Sequence, residues 1–198
     1  MSDPVAELRA ALAMPGHGSS DFDLNSENET LDSSKLRPAS VLIAVDLTGT
    51  APQVILTKRS SALKHHPGQI AFPGGKREKS DLDVTATALR EADEEIGLPA
   101  GLPQVLGHLP EHKTVTGFVV TPVIAILSER FEMVADTGEV EEAFRVPLAH
   151  LTNPVNYAIE SRRWRGVRRH FYTVPYGPYY IWGATARMLR VLAARMET

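Results

Sequence analysis

The sequence predicts an α/β sandwich, and three features of it do so. Short apolar and β-branched runs recur between Ala39 and Val174, a single capped amphipathic helix interrupts them around residue 90, and a second helix closes the chain. Strands grouped around one central helix, with another at the end, call for a sheet with helices packed against it. At 198 residues the chain suits one domain with a full hydrophobic core.

Taken in order, Val5, Leu8 and Leu12 recur at helical spacing and predict a short helix over residues 4–14. Residues 15–37 hold Gly, Ser, Asp, Asn and Glu with few large apolar groups, the composition of an exposed linker. Residues 1–37 are thus expected as an N-terminal helix with a flexible linker, and residues 38–198 as the folded domain. The core begins at Ala39. Val41 to Val45 is an apolar run short enough for a buried strand, and Gln53 to Lys58 makes a second strand after the turn Thr48-Gly49-Thr50.

The central helix is expected from about Asp81 to Ile96. Ser80 and Asp83 supply a start of capping-box type, with Asp in place of the usual Glu. Gly97 can take the left-handed conformation that ends a helix, and Pro99 prevents its continuation. Leu82, Leu89 and Ile96 lie along one stripe, and at about 100° per residue Glu91, Glu94 and Glu95 fall on the opposite side. Leu102–Leu109, Gly117–Leu127 and Val140–Val146 read as further strands, the last leading through Pro147 into a short turn or helix. Tyr157–Trp164 and Val167–Val174 form a hairpin around Arg165-Gly166, and a helix from about Tyr180 to Met196 ends the chain.

Composition narrows the function. A net charge of −3 gives no reason to expect nucleic acid or a membrane surface as the main partner. There is no cysteine, so disulfides and thiolate zinc sites are excluded. No apolar run approaches the length of a membrane span, and the first twenty residues lack a basic start followed by an apolar block. A cytoplasmic protein is the expectation.

The most informative stretch is Phe72–Leu98, FPGGKREKSDLDVTATALREADEEIGL. Acids clustered on a short amphipathic helix suggest a site for divalent metal and phosphate chemistry. Glu91, Glu94 and Glu95 stand at spacings that share a helix face and can converge on one or more ions. Magnesium or manganese, which prefer oxygen ligands, would suit them. A solvated charged face is the plainer account of such a run. Against it stand Arg90, Gly97 and the FPGG turn, all in register with the acids.

That register resembles the Nudix box, G-x5-E-x7-R-E-U-x-E-E-x-G-U with U aliphatic. Arg90 to Leu98 fits its second half without a gap, with Ala92 at a U position. In the first half Asp81 stands where the box has Glu, and one extra residue separates it from Arg90. The segment just upstream, Ile55–Lys76, is similar to the pattern L-L-T-x-R-S-x3-R-x3-G-x3-F-P-G-G of the coenzyme A diphosphatase branch. Thr57, Arg59, Ser60, Gly68, Phe72, Pro73, Gly74 and Gly75 match it, and Lys64 replaces its arginine.

The resemblance implies a Nudix-type α/β/α sandwich with a mixed central sheet. It also implies metal-dependent hydrolysis of the diphosphate of coenzyme A or its thioesters, with Mg2+ or Mn2+ as cofactor. Glu91, Glu94 and Glu95, with the Gly75 carbonyl, are then the metal ligands, and Arg90 orients Glu91. The general base is Glu95, Glu91 or a glutamate from a distant loop, for which Glu139 is the best candidate and Glu142 the next. Thr57, Arg59, Lys64 and Gly74 would hold the substrate, and the resemblance allows a homodimer. Two other readings stay open: hydrolysis of another nucleoside diphosphate derivative such as ADP-ribose or a dinucleotide, and a nucleotide sensor on the same fold.

Smaller features have bland and functional accounts. His65 and His66 read as loop residues. The basic run Arg162–His170 fits an exposed hairpin, with contact to a substrate, a second subunit or RNA as functional alternatives. Tyr176, Tyr179, Tyr180 and Trp182 read as packing. Glu111, His112 and the stretch Thr114–Gly117 are candidates for a substrate loop.

Overall fold

A computed structural model describes residues 3–25, 35–164 and 166–197. In order, the chain runs α1 (Pro4–Ala13), β1 (Ser19–Ser20), β2 (Arg37–Asp46), β3 (Gln53–Arg59), β4 (Ile70–Ala71), β5 (Gly74–Lys76), α2 (Val84–Ile96), β6 (Gln104–His108), β7 (His112–Lys113), β8 (Phe118–Leu127), β9 (Val140–Pro147), α3 (Leu148–Thr152), β10 (Ala158–Trp164), β11 (Val167–Thr173) and α4 (Gly183–Met196).

The sheet is built on β2 and β8, which pair in parallel from Arg37 opposite Phe118 to Asp46 opposite Leu127. Both strands are near-continuous apolar runs because both of their faces are covered. The two-residue period then sorts their side chains. Leu42, Ala44, Val123, Ala125 and Leu127 meet Ala88, Ala92 and Ile96 of α2. Ile43, Val45, Ile124 and Ile126 meet Leu8 and Ala11 of α1 and Leu189 and Leu192 of α4. Antiparallel partners complete the mixed sheet: β3 and β5 on β2, β9 and β4 on β3, β6 and β7 on β8. This is the expected sandwich, one helix on one face and the other helices opposite.

The two helices correct several expectations. The central helix starts at Val84, not Asp81, with Asp83 as its N-cap accepting from Ala86 N–H at 2.8 Å. Asp81 is withdrawn from the helix by other partners, so Ser80 caps nothing and Leu82 is 89% exposed instead of joining the core stripe. The inward face is made of Thr87, Ala88, Ala92, Glu95 and Ile96, which places Glu95 among the buried residues and not opposite them. The last helix also begins later, at Gly183.

The N-terminal segment is only partly where composition puts it. Residues 26–34 of the expected linker lie outside the described residues. Before them, β1 pairs in parallel with β7, Ser19 opposite His112. His112 is fully buried, its Nδ1 2.9 Å from Ser19 Oγ and its Nε2 3.0 Å from Asp21 Oδ1. Asp21 also accepts from Val115 N–H at 2.8 Å. His112 therefore ties the N-terminal segment to the sheet edge and does not face a substrate loop.

Farther along, Arg195 of α4 donates through Nη1 to the carbonyls of Ala11 at 3.0 Å and Met14 at 2.8 Å. These acceptors belong to the C-terminal end of α1, where carbonyls lack helical partners. A Cβ on Gly16 would collide with the same guanidinium. Arg195→Ala is expected to lower unfolding stability by about 1–3 kcal/mol in urea titration, since it strands buried acceptors. It should also speed hydrogen exchange in α1 before the sheet opens. Unchanged exchange in α1 would show that apolar packing alone holds the helix.

Candidate active site

The acidic face of α2 meets the turn formed by Gly74 and Gly75. Gly74 has φ +155°, and a Cβ there would lie 2.6 Å from Val41 Cα. A Cβ on Gly75 would lie 2.5 Å from the carboxyl carbon and both oxygens of Glu91. Only glycines let β5 press against β2 on one side and the α2 carboxylates on the other. Gly74 N–H donates to Glu95 Oε2 at 3.2 Å. Alanines at 88 and 92 let the helix sit close enough to the sheet for these contacts.

Arg90 organises the acids. Its Nε donates to Asp81 Oδ1 at 2.9 Å and its Nη2 to Asp81 Oδ2 at 3.0 Å, a two-bond fork. Nη2 also reaches Glu91 Oε1 at 3.1 Å and the Lys76 carbonyl at 3.2 Å, while Nη1 reaches Glu94 Oε2 at 2.9 Å. The fork thus goes to Asp81, and Glu91, expected as the residue that Arg90 orients, receives a single bond. Asp81 accepts further from Glu78 N–H at 2.8 Å and Thr87 Oγ1 at 3.0 Å. The Arg90 hydrogen bond, first among these, holds the Asp81 carboxyl well below the usual carboxylate range. The extra residue between Asp81 and Arg90 is absorbed in the loop before α2, and the shorter Asp still reaches.

Glu95 is only 4% exposed. Burial pushes its carboxyl up to about 8, helped by the charges of Glu91 and Glu139 and opposed by the Gly74 N–H and by Arg59. Glu91 is likewise raised, by burial first and by Glu94 and Glu139, against the pull of Arg90. Arg59 at the end of β3 and Glu139 in the loop before β9 therefore belong to the same electrostatic neighbourhood. The two segments are joined there, since the N–H of Ser60, next to Arg59, donates to the Glu139 carbonyl at 2.8 Å.

Other candidates lie apart. Thr57 is 1% exposed and its hydroxyl donates to the Ala71 carbonyl at 3.2 Å, so it braces β3 on β4. Lys64 stands on the exposed loop that also carries His65 and His66. Glu142 accepts from the Tyr179 hydroxyl at 2.5 Å, and Tyr179 stacks on Phe144 with centroids 3.6 Å apart. In the hairpin, Arg162 faces Arg169 and Arg163 faces Arg168, one pair on each face of the ribbon. Arg162 lies over Trp182 and Arg169 over Phe22.

Sequence reasoning missed Asp136. Its N–H donates to the Glu95 carbonyl at 3.0 Å, and its own carbonyl accepts from Glu139 N–H at 2.9 Å and Val140 N–H at 2.7 Å. The signal was present in Asp136-Thr137-Gly138, a sequence suited to an Asx turn; Asp136 Oδ1 does accept from Gly138 N–H at 2.9 Å.

Among the described residues no three carboxylate or imidazole groups are gathered as a ready ligand set. Arg90 draws Glu94, whose side chain is 60% exposed, and one oxygen of Glu91 toward itself. The donor set nonetheless fits a hard divalent cation. It is all oxygen, it includes a carboxyl raised first by burial and then by its anionic neighbours, and the Gly75 cradle leaves no room for a side chain beside Glu91. Glu91 and Glu95 are the residues that could hold the ion from within, with Glu94 reaching in from solvent.

The raised carboxyl of Glu95 has a consequence for metal-free protein. The fold binds that proton more tightly than the unfolded chain, whose Glu titrates near the ordinary 4.5. Stability present below about pH 4.5 is lost as pH rises through about 8. With a chelator present, wild type should lose stability over this interval by on the order of a few kcal/mol more than Glu95→Gln, and Mg2+ should narrow the gap. Thermal unfolding at a series of pH values measures it. Parallel profiles for the two proteins would mean that the carboxyl is not in a charge-crowded interior.

Residues 36–166 match the NUDIX domain. The chain is 36% identical over 175 residues to the uncharacterized Nudix hydrolase NudL of Enterobacter sp., covering 88% of this chain and 91% of that protein. It is 37% identical over 180 residues to NudL of Salmonella typhimurium, covering 91% and 93%. A solved MutT/nudix family protein from Enterococcus faecalis superposes with a TM-score of 0.51 at 15% identity, over 80% of this chain and 61% of that one, a likeness of fold alone. No helix among the described residues is long and apolar enough to cross a membrane. With box, fold and relatives in agreement, the chain belongs to the Nudix hydrolase family, enzymes that act on phosphoric anhydrides.

Proposed function

We propose that the protein hydrolyses the diphosphate of coenzyme A or its acyl thioesters, giving adenosine 3',5'-bisphosphate and 4'-phosphopantetheine or its acylated form. The observation that carries the chemistry is the buried Glu95, pressed beneath the Gly74 turn with Glu91, Glu139 and Arg59 around it. The substrate is supported by the segment Ile55–Lys76, whose Gly74 N–H bonds that carboxyl and whose Arg59 acts on it through its charge, although the two are fifteen residues apart in sequence.

Bound Mg2+ or Mn2+ would neutralise phosphoryl oxygens and acidify the attacking water. Glu91, Glu94 and Glu95 would hold the cation; Arg90, fixed by Asp81, orients Glu91. Glu139 takes the proton from the water as it attacks phosphorus and the bridging P–O bond breaks, and the departing phosphate leaves with the bridging oxygen. Arg59, and Lys64 from its exposed loop, supply positive charge for the substrate's phosphates. Thr57 contributes by holding β4, and through it the Phe72–Gly75 turn, in place.

Incubation with coenzyme A, with and without Mg2+ or Mn2+, followed by product analysis, tests this. The expected outcome is metal-dependent release of adenosine 3',5'-bisphosphate, with weaker turnover of 3'-dephospho-coenzyme A. Glu95→Gln should cut turnover by orders of magnitude and remain folded. Cleavage of ADP-ribose or NADH in place of coenzyme A would keep the catalytic assignment and discard the substrate. Binding of nucleotides without cleavage of any would make the protein a sensor.

A further inference from the structure

The loop between β8 and β9 crosses the C-terminal end of α2 and is fastened there. Phe131 and Met133 pack against the cluster formed by α2 and the sheet. Val134 N–H donates to the Ile96 carbonyl and Asp136 N–H to the Glu95 carbonyl, both at 3.0 Å. These carbonyls are among those a helix leaves without internal partners at its end. Gly97, with φ +66°, returns its own N–H to Asp93, and Leu98 N–H reaches Ala92. The end of α2 is thus shared between its own cap and the loop.

Asp136 is the point where this loop turns toward the site. Its N–H holds the Glu95 peptide, its carbonyl takes the N–H groups of Glu139 and Val140, and its Oδ1 takes Gly138 N–H. All four bonds are 3.0 Å or shorter. The far side of Glu139 is held as well, through its carbonyl and Ser60 N–H. A turn closed by a side-chain acceptor has a defined direction, and here it directs the residue three positions on.

We propose that Asp136 is a positioning residue, an Asx-turn clasp that ties the Glu139 segment to the Glu95 peptide and sets the Glu139 carboxylate against the acidic face of α2. This rests on Glu139 acting as the general base. The arrangement makes the placement of the base depend on the same helix end that carries the metal-binding acids, so helix and base move as one body. Asp136 is exposed, and its side chain reaches the chemistry only through the turn that carries Glu139.

The test uses Asp136→Ala, Asp136→Asn, Glu139→Gln and the double variant Asp136→Ala/Glu139→Gln in the full chain, with coenzyme A and Mg2+. Asp136→Ala is expected to lower kcat about 10- to 100-fold with KM nearly unchanged. It should also displace the acidic limb of the kcat–pH profile. Asp136→Asn, whose amide oxygen still accepts from Gly138 N–H, should restore both. In the Glu139→Gln background, Asp136→Ala should add less than about a factor of two. Independently of turnover, hydrogen exchange at Gly138, Glu139 and Val140 should speed up in Asp136→Ala, while the interior of α2 keeps its protection. Equal effects of Asp136→Ala in both backgrounds, failure of Asn to rescue, or unchanged exchange in the turn would overturn the clasp. Wild-type kcat in Glu139→Gln would instead remove the base assignment, and the clasp with it.

Discussion

Carboxylates packed against one another in a protein interior repel, and desolvation makes each of them harder to ionise. Much of this structure is arranged around that constraint at α2. Arg90 answers part of it, since one guanidinium reaches Asp81, Glu91 and Glu94 together. The remaining part falls on Glu95, which lies too deep for Arg90 and takes a backbone N–H from Gly74 and the more distant charge of Arg59. Glycine at 74 and 75, alanine at 88 and 92 and the close approach of β5 to β2 are all needed to bring a backbone donor to that carboxyl. A side chain on Gly75 would displace Glu91, and one on Gly74 would push β5 off β2.

The strands that carry the sheet were legible because their signal is local. A run such as Val41–Val45 can be buried on both faces only in the middle of a sheet, and it lies there. The acids of α2 were legible for the same reason, their spacing being a property of the helix alone. Asp81 was not. Its sequence neighbourhood reads as the first turn of a helix, but a fork from Arg90 and a bond from Glu78 N–H compete for it, and Asp83 is left to cap. Leu82 shows the result: between the clamped Asp81 and the cap it has nowhere to go but solvent. His112 shows the same limit. Nothing nearby in sequence marks it as a buried bolt, because its partners Ser19 and Asp21 are about ninety residues away.

The two faces of the sheet divide the labour. On the face of α1 and α4, contacts are apolar and the polar exceptions are joints, such as Arg195 closing the end of α1. The segment after α1 then runs along the edge through His112 to the hairpin, where the Asn25 side chain exchanges two hydrogen bonds with the backbone of His170, at 2.8 and 3.1 Å. Asp23 meets Arg187 of α4 on the way. Residues poor in apolar side chains are therefore held by specific polar partners, which composition cannot reveal. Opposed arginines in the hairpin would repel if left bare. Aromatic faces of Trp182 and Phe22 under Arg162 and Arg169 supply part of the compensation.

The end of α2 breaks a rule that ordinary helices keep. Its last turn carries Glu94 and Glu95 and no basic residue, although the partial negative charge at a helix C-terminus favours cations there. Each misplaced acid costs about 0.3–1 kcal/mol at an exposed position, and a buried one more. Arg90 offsets this for Glu94 one turn back, but it does not reach Glu95. The loop through Asp136 adds N–H donors to the carbonyls of Glu95 and Ile96, which softens the field of the helix end without touching the carboxylates themselves. What is left among the described residues is a local deficit of positive charge at one buried acid, which takes the Gly74 N–H and the Coulombic pull of Arg59. A fold that only needed stability would have placed an apolar residue or a lysine there. In the proposed reaction a divalent cation arriving with the diphosphate would supply the charge that this buried acid lacks.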